Sequence, residues 1–360
     1  MDGVKPRKGV DGMASITFSV FADLHYKKGM YATNVSDLAC ILARAHRENA
    51  AFALHCGDLC NDYKGSPELV RCYLQNAYQL PAYGVYGNHE LETEGNTMAL
   101  VTPLLTNRPD QVIWGTADGT IGDGRVGYYH FDVNGFRFVC TDTNYALLDG
   151  EWVHNRPASW GPPAHATHAN ALGPAQLEWL ERVLTDAARR AMPCIVVSHA
   201  DFSGIVSDDP SSDADEVCAL FRKVNRLRNG TVLLAINGHY HTDHAVWVDD
   251  VVYFDCNTVL NGYWKPMTVS HYTDDQTFPF EPYDADGQPL PVVSTPLPAL
   301  VQATNTWFFT EPLSAMVTVS TDGAVQIHGA QTAWRYGIAP DMDTPDGKHP
   351  YIADAQFLPQ

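Results

Sequence analysis

Short apolar runs alternate along this chain with segments in which apolar residues recur every three or four positions. An apolar run of four to eight residues is typical of a buried β-strand, and the longer recurrence is typical of a helix. After the first run, for example, Leu38, Leu42 and Ala45 fall on one helical face. The predicted core strands are 15–22, 50–56, 82–87, 194–199 and 231–236. Strands that alternate with helices in this way predict an α/β core.

Turn signals add two hairpins to this pattern. Asn134 and Gly135 separate two apolar runs, and this dipeptide favours the tight turn of a β-hairpin. Asp322 and Gly323 predict a second hairpin near the C-terminus, and helical spacing is regular from about Pro174. The chain is therefore predicted to combine a central α/β region with antiparallel strand pairs.

A polar cluster follows each of the five predicted core strands. The clusters are Asp23 and His25; Asp58 and Asn61; Asn88, His89 and Glu90; His199 and Asp201; and His239 and His241. In an open α/β sheet the C-terminal ends of the strands converge on one crevice, where ligands bind. We therefore expect these clusters to meet in space, although they are far apart in the chain.

Each cluster taken alone has an ordinary structural explanation. Asp58 follows Gly57 and suits a turn or a helix cap, and a single histidine such as His199 is more often a core residue than a ligand. His239 and His241 are harder to explain in this way, because two neighbouring imidazoles contribute little to packing. Taken together, the clusters favour a metal site.

The donor atoms of these clusters suit two divalent metal ions. Carboxylate, amide and imidazole ligands together favour Mn²⁺, Fe²⁺, Zn²⁺, Co²⁺ or Ni²⁺. Because the clusters offer more ligands than one tetrahedral ion takes, we expect two ions, roughly 3.5–4 Å apart, that share a ligand. A water that bridges two such ions becomes hydroxide near neutral pH, and this hydroxide can attack a phosphate ester.

Charge and composition restrict the partners. The 360 residues carry a formal net charge of −19, which disfavours nucleic acid because its phosphates would be repelled. No apolar stretch is long enough to cross a membrane, and residues 1–14 lack the apolar segment of a secretory signal. We therefore expect a cytoplasmic protein with no membrane partner. Two bound divalent ions would give the site a local positive charge that attracts a small phosphate ester.

The cysteines allow two interpretations of one motif. Most of the eight cysteines lie in apolar runs or helical patterns, which is typical of buried free thiols. Cys56 and Cys60 bracket Asp58, so this stretch could be a thiol site or a carboxylate site with thiols beside it. The other four clusters favour the carboxylate.

The order of these motifs resembles that of the calcineurin-like metallophosphoesterase superfamily. The motifs are Asp-x-His at 23–25, Gly-Asp at 57–58, Gly-Asn-His-Glu at 87–90, His199, and Gly-His-x-His at 238–241. The resemblance implies an α/β fold of two mixed β-sheets packed as a sandwich and flanked by helices. The implied ligand sets are Asp23, His25 and His241 for one ion, and Asn88, His199 and His239 for the other, with Asp58 as the bridge. His89 would bind no metal and would face the substrate, either stabilising phosphoryl charge or protonating the leaving oxygen.

Departures from subfamily patterns narrow the expected substrate. Serine/threonine protein phosphatases of the superfamily carry a Gly-Asp-x-x-Asp-Arg pattern, whereas Asn61 and Asp62 occupy its last two positions here. Purple acid phosphatases carry a tyrosine where Asn61 stands. The stretch is more similar to bacterial cyclic-nucleotide and glycerophosphodiester phosphodiesterases, so we expect hydrolysis of a phosphodiester. The alternatives are a phosphomonoesterase, acting on small molecules or proteins, and an inactive binding module of the same fold. A nuclease of the same fold is disfavoured by the charge.

The domain prediction consists of an N-terminal extension at 1–14, one metallophosphoesterase domain at 15–335 and a C-terminal arm at 336–360. Two segments without regular periodicity, 144–172 and 261–306, are predicted to be long loops. Trp160 in the first loop either stacks on a substrate or packs within a surface loop. His244, Glu90 and Asp201 are further candidates for contacts behind the metal ligands or with the substrate, and a surface position is the alternative for His244.

Overall fold

The computed structural model describes residues 14–26, 35–60, 70–71, 74, 79–90, 98–115, 120–121, 124–125, 127–154, 166–205, 210–259, 261–263, 277–280, 293–296, 306–334 and 349–359. The helices with defined bounds are α1 (Val35–Arg47), α2 (Met98–Leu105), α3 (Gly173–Arg189) and α4 (Ala214–Leu227). The strands are β1 (Ser15–Phe21), β2 (Ala53–His55), β3 (Ala82–Gly84), β4 (Ile113–Trp114), β5 (Thr120–Ile121), β6 (Gly124–Arg125), β7 (Tyr129–Val133), β8 (Phe136–Cys140), β9 (Tyr145–Leu148), β10 (Glu151–His154), β11 (Ala166–Ala171), β12 (Cys194–Val197), β13 (Val232–Asn237), β14 (His244–Val248), β15 (Val251–Asp255), β16 (Asn261–Tyr263), β17 (Thr277–Phe280), β18 (Val293–Pro296), β19 (Thr306–Phe308), β20 (Ala315–Ser320), β21 (Val325–Gly329) and β22 (Ala355–Phe357). Within the described residues, no helix combines the length and the apolar character that a membrane crossing requires.

Two large mixed sheets form the body of the fold. One has six strands in the order β22-β21-β20-β1-β2-β3, and the other has seven in the order β14-β15-β13-β12-β8-β7-β4. Strands β1, β2 and β3 run parallel, as do β8, β12, β13 and β15, and antiparallel strands flank both groups. The predicted α/β fold with two mixed sheets is confirmed.

The main core lies between the two sheets. Phe18 of β1 stacks on Phe52 and meets Phe138 of β8 edge-on, with ring centroids 5.2 and 5.0 Å apart. Alternate residues of the seven-stranded sheet face opposite sides, as the pleat of a strand requires. In β12, Val197 belongs to this central core, while Val196 packs in a second core with residues of α3 and α4. The helices therefore cover the outer face of this sheet.

Several segments carry more regular structure than their sequence predicted. The 144–172 segment, expected to be a loop, contains the three-stranded sheet β10-β9-β11, and the 261–306 segment contains β16, β17, β18 and the first residue of β19. The predicted C-terminal arm contributes β22 to the six-stranded sheet, and Ile352 in it is fully buried. Strands β9 and β10 form a local hairpin, whereas β11, β16, β19 and β22 pair with strands farther away in the chain, which local periodicity cannot reveal. The domain boundaries stay a prediction.

Candidate metal centre

The parallel strands of both sheets bring the polar clusters to one edge of the sandwich. Asp23 and His25 follow β1, and Asp58 follows β2 in the six-stranded sheet. His199 and His239 follow β12 and β13 in the seven-stranded sheet. The two sheets thus bring candidate metal ligands to the same edge of the sandwich from opposite sides.

One group of ligand atoms consists of Asp23, His25 and His241. The Nε2 atoms of the two histidines lie 3.0 Å apart. The Asp23 Oδ1 atom lies 3.8 Å from Nε2 of His25 and 3.7 Å from Nε2 of His241. All three side chains are almost completely buried, so their polar atoms face one another instead of water.

A second group forms around His199. Its Nε2 atom lies 3.0 Å from Oδ1 of Asn88, 3.1 Å from Nδ1 of His239 and 3.2 Å from Oδ2 of Asp58. His199 Nδ1 lies 2.7 Å from the Cys56 carbonyl oxygen. Donation of the Nδ1 proton to that carbonyl leaves the Nε2 lone pair directed at the group, which is the arrangement of a metal-binding histidine.

Asp58 belongs to both sides of the centre. Its Oδ2 atom lies 3.2 Å from His199 Nε2, 3.8 Å from His25 Nε2 and 3.9 Å from His89 Nε2. The ligand atoms of Asp58, His199 and His239 lie within 4.8 Å of one another, and so do those of Asp58, His25 and His89. One carboxylate therefore connects the two groups of histidines.

The backbone at these positions is unusual. Asp23, His25, Asp58, His239 and His241 have φ angles of 55°, 50°, 52°, 73° and 52°. This left-handed region is uncommon for residues other than glycine, and strained residues of this kind cluster at functional sites. The turns that end the strands therefore direct consecutive side chains into the centre at a conformational cost.

Burial and mutual charge shift the titration of this centre. Burial, opposed by His199 and reinforced by the neighbouring Asp58 carboxylate, raises the pKa of Asp23 to about 8. Burial alone would also raise the pKa of Asp58, but the imidazoles of His199 and His89 hold it well below its ordinary value. Burial lowers the pKa of His239 to about 3, and His199 adds to this effect. Two carboxylates and several imidazoles thus share one largely buried site.

The donor set fits divalent metal ions. Ligand atoms that share an ion at about 2.0–2.2 Å lie roughly 3–3.5 Å apart, and the spacings around His199 are between 3.0 and 3.2 Å. The imidazole nitrogens of His25 and His241 converge at 3.0 Å in the same way. A divalent cation would also compensate the buried charge of Asp23. Nitrogen and oxygen donors without thiolate suit the borderline divalent metals.

Comparison with known proteins identifies the family. The sequence model of the calcineurin-like phosphoesterase family matches residues 16–243. The chain belongs to this family. Among solved structures, a dimetal phosphatase from Danio rerio is similar with a TM-score of 0.54 and 15% sequence identity, over 87% of this chain and 95% of that chain. GAP50, the anchor in the inner membrane complex of Plasmodium, gives a TM-score of 0.44 at 13% identity, over 90% and 86% of the two chains. No curated protein sequence matches the chain.

Two glycines of the phosphoesterase motifs are required by close contacts. A Cβ atom at Gly87 would lie 1.9 Å from Oδ1 of Asp58 and 2.5 Å from its amide nitrogen. Gly57 has a φ angle of +93°, and a Cβ atom there would lie 2.7 Å from His199 Nδ1. Both loops therefore approach the ligands more closely than any side chain would allow.

The remaining predicted residues have different locations. Glu90 lies directly behind the Asp58 loop, where it accepts backbone hydrogen bonds. The carboxylate of Asp201 bonds Ser203 and the Gly204 amide, so it caps its own loop. His244 begins β14, is half-buried and lies outside the three groups of ligand atoms. Two further candidates, Asn61 and Trp160, lie outside the described residues.

The two cysteines that bracket Asp58 do not take part in the groups of candidate ligand atoms. Cys56 and Cys60 are fully buried, and neither belongs to a group of converging ligand atoms among the described residues. Burial raises the pKa of the Cys56 thiol well above its ordinary value, which keeps it protonated. Asp58, and not a thiolate, is therefore the metal-binding candidate in this stretch.

Sequence reasoning missed two polar strand ends beside the site. Thr143 follows β8, and its hydroxyl accepts the amide of Ala200, next to His199. Thr258 follows β15, and its hydroxyl donates to the backbone carbonyl of Asp23 at 2.8 Å. The same rule that identified the five clusters could have found both, because "TDTN" and "DCNT" also follow or end apolar runs.

Proposed function

We propose that the protein is a phosphoesterase that uses two divalent metal ions and favours phosphodiesters. The observation that carries the proposal is the position of the Asp58 carboxylate between the two groups of histidines, 3.2 Å from His199 and 3.8 Å from His25. A shared carboxylate is characteristic of sites with two ions, and membership of the phosphoesterase family supports hydrolysis of a phosphate ester.

The proposed ligand sets are Asp23, His25 and His241 for one ion, Asn88, His199 and His239 for the other, and Asp58 for both. When bound, divalent ions polarise the phosphoryl oxygens and supply an activated water. The chain itself fixes the ligands before any ion arrives, because the His239 amide donates to both oxygens of Asp23 and the His89 amide donates to Asp58.

His89 is proposed to serve the substrate instead of a metal. Its Nε2 atom lies 3.9 Å from Oδ2 of Asp58, and its side chain is 22% exposed. An imidazole at the mouth of the centre can stabilise phosphoryl charge or carry the proton that the leaving alkoxide requires.

The substrate is proposed to be a small molecule. A net charge of −19 opposes a long nucleic acid, while a local cationic centre would still attract a single phosphate group. The preference for diesters rests on the Gly-Asp-Leu-x-Asn form of residues 57–61.

Hydrolysis of two model substrates tests the proposal. The purified protein with Mn²⁺ is expected to cleave bis(p-nitrophenyl) phosphate faster than p-nitrophenyl phosphate. Asp58→Asn is expected to lose activity on both, because it removes the shared charged ligand. The matched control is Asp354→Asn, which changes a carboxylate that is 64% exposed and bonds His328.

Each other outcome identifies an alternative. If two ions bind but neither substrate is hydrolysed, the proposed phosphoesterase activity is contradicted. The inactive binding module is then the favoured alternative. A faster rate on the monoester would contradict the diester preference and favour a phosphomonoesterase.

A further inference from the structure

The carboxylate of Glu90 is buried, accepts four backbone amides and lies outside the three groups of converging ligand atoms found among the described residues. The residue is 1% exposed. Its Oε1 atom accepts the amides of Leu59 at 2.6 Å and Cys60 at 3.3 Å, and its Oε2 atom accepts those of Gly87 at 2.6 Å and Asp58 at 3.2 Å. Four backbone donors from two separate loops therefore converge on one carboxylate.

The loop after β2 needs an anion at this point. The amides of residues 58, 59 and 60 are consecutive and point to the same side, which is the geometry of a backbone concavity that binds anions. Asp58 itself has a left-handed backbone with a φ angle of 52°. Without Glu90, these buried amides would lose their acceptor, and an unsatisfied buried donor is costly.

The two loops hold each other reciprocally. Glu90 accepts the Asp58 amide, and the Asp58 carboxylate accepts the His89 amide through Oδ1 at 2.9 Å. The Gly87 amide, from the same loop as Glu90, also donates to the Glu90 carboxylate. Because Oδ1 of Asp58 accepts the His89 amide, its Oδ2 atom is the one that faces His199 and His25.

We propose that Glu90 is a positioning residue that fixes Asp58 between the two groups of ligands. This inference rests on the proposed function. Glu90 holds no metal, because both of its oxygens are occupied by backbone amides. Its effect on the ions passes through Asp58, so its loss must weaken both ions together.

Glu90→Gln tests the carboxylate with little change of volume. A glutamine directs an NH₂ group at one of the two loops, where backbone N–H groups already point, so one loop loses its acceptor. Loss of a group that orients a metal ligand costs about 10–100-fold in metal affinity. We expect a loss of that size for both ions in Glu90→Gln. His239→Ala, by contrast, is expected to weaken only one ion.

Metal titration of the purified proteins is the measurement. Mn²⁺ binding is followed by calorimetry, and the electron paramagnetic resonance spectrum reports spin coupling between two Mn²⁺ ions that share a ligand. The coupled spectrum is expected in the parent protein and is expected to be lost in Glu90→Gln. The charge control is Glu178→Gln, which removes a carboxylate that is 76% exposed and pairs with Arg182.

Two outcomes would overturn the proposal. These are loss of one ion alone and parent-like affinity for both ions. Parent-like affinity together with a lower melting temperature would assign Glu90 a merely structural role. If the Glu90→Gln variant fails to fold, the same metal titration is carried out with Glu90→Asp. Its shorter side chain keeps the charge but cannot reach both loops, so a parent-like affinity in this variant also contradicts the proposal.

The test is independent of the proposed activity. Metal binding and spin coupling are measured without a substrate, so an inactive parent protein with two coupled ions would refute the phosphoesterase and leave the role of Glu90 intact. If the Glu90→Gln variant is active and binds metal like the parent, the proposed role of Glu90 is refuted and the phosphoesterase proposal is kept.

Discussion

His89 is more accessible than His25, His199 and His241, three of the proposed metal ligands. Its imidazole is 22% exposed, whereas those of His25, His199 and His241 are 1%, 3% and 5% exposed. Its ring packs edge-on against that of His25 at 4.9 Å between centroids. A histidine that is held at its backbone and open at its ring suits contact with a substrate better than enclosure of an ion.

Replacing His89 by alanine should separate turnover from metal binding. We expect kcat to fall by about 10²–10⁴-fold, which is the usual contribution of a positioned acid or base, with both ions retained. Metal content after dialysis and kcat with bis(p-nitrophenyl) phosphate are the measurements. The control is His328→Ala, which removes a histidine that is 69% exposed and pairs with Asp354. An emptied ion site in His89→Ala would show that this histidine is a ligand.

At the residue scale, the sequence predicted which side chains meet but not where each one points. The residues after β1, β2 and β3 converge because parallel strands end at the same edge. Asp201 follows a strand in the same way, yet its carboxylate turns back to the amides of Ser203 and Gly204. The contacts of Glu90 depend on the amide directions of a loop some thirty residues away, and residue types do not encode those directions.

The loop after β3 has little room for change. Its Gly87 leaves space for the Asp58 carboxylate, and a Cβ atom would lie 1.9 Å from Oδ1. This loop also carries Asn88, His89 and Glu90, so its path determines three contacts of the centre at once.

Gly87→Ala is expected to displace Asp58 and to weaken both ions, because the added methyl group occupies the place of the carboxylate. The comparison is Gly135→Ala in the turn between β7 and β8. Gly135 has a φ angle of +87°, and a Cβ atom there meets nothing within 4 Å. That variant should lose about 1 kcal/mol of stability from the left-handed backbone and keep parent-like metal titration. Equal metal affinity in the two variants would contradict the steric argument.

At the element scale, prediction succeeded where a local signal sets the structure. The β7–β8 hairpin turns at Asn134 and Gly135, both with positive φ, as their sequence indicates. Helix α2 gave no such signal, because its eight residues are nearly all apolar and include Pro103. Strands β9 and β10 form a tight hairpin at Asp149 and Gly150, a local turn signal that sequence reasoning missed. Strand β11 pairs with β9 at a longer separation and with register shifts near His168, and periodicity within one strand does not predict such pairing.

At the scale of the whole molecule, the C-terminal segment 349–357 joins the two sheets beside the metal centre. It contributes β22 to the six-stranded sheet. Near His241, the Asp243 carboxylate accepts the amide of Ala353 at 2.8 Å and lies 3.2 Å from His349 Nε2. Asn257 donates to the carbonyl oxygens of His349 and Tyr351. Residues beyond the family match therefore support the turn that carries His241, a proposed metal ligand.

Asp243→Ala is expected to loosen this segment. It leaves the Ala353 amide without its acceptor, at a cost of about 1–3 kcal/mol in the free energy of unfolding. Urea denaturation measures the loss, and hydrogen exchange should show faster exchange in residues 349–357. Asp249→Ala, which removes an exposed carboxylate that pairs with Arg222 outside this segment, is the control. Unchanged exchange in Asp243→Ala would contradict the supporting role.

Acid should destabilise the fold partly through His130. Burial lowers the pKa of this histidine to about 4, and Arg137 adds to the effect. The unfolded chain, with an ordinary histidine pKa near 6.5, therefore binds more protons than the folded chain between about pH 6.5 and pH 4. Stability consequently rises with pH across this window and falls on acidification.

His130→Gln should remove that contribution. Its urea midpoint is expected to fall less between pH 7 and pH 5 than that of the parent, with His328→Gln as the exposed control. The ion pair of Asp132 with Arg137 acts at lower pH, because the pKa of Asp132 is already below its ordinary value of 3.8. An identical pH dependence in parent and His130→Gln would contradict the assignment.

The site has a cost in the stability of the chain, because five of its residues adopt a left-handed backbone. These residues are Asp23, His25, Asp58, His239 and His241. A residue with a Cβ atom costs roughly 1–2 kcal/mol in this region, and glycine does not incur that cost. Selection for heat resistance alone, without metal or substrate, therefore gives no reason to keep this backbone, although the carboxylates of Asp23 and Asp58 still accept the amides of His239 and His89. A directed-evolution screen on this scaffold retains its ligands only if it rewards turnover together with thermal tolerance.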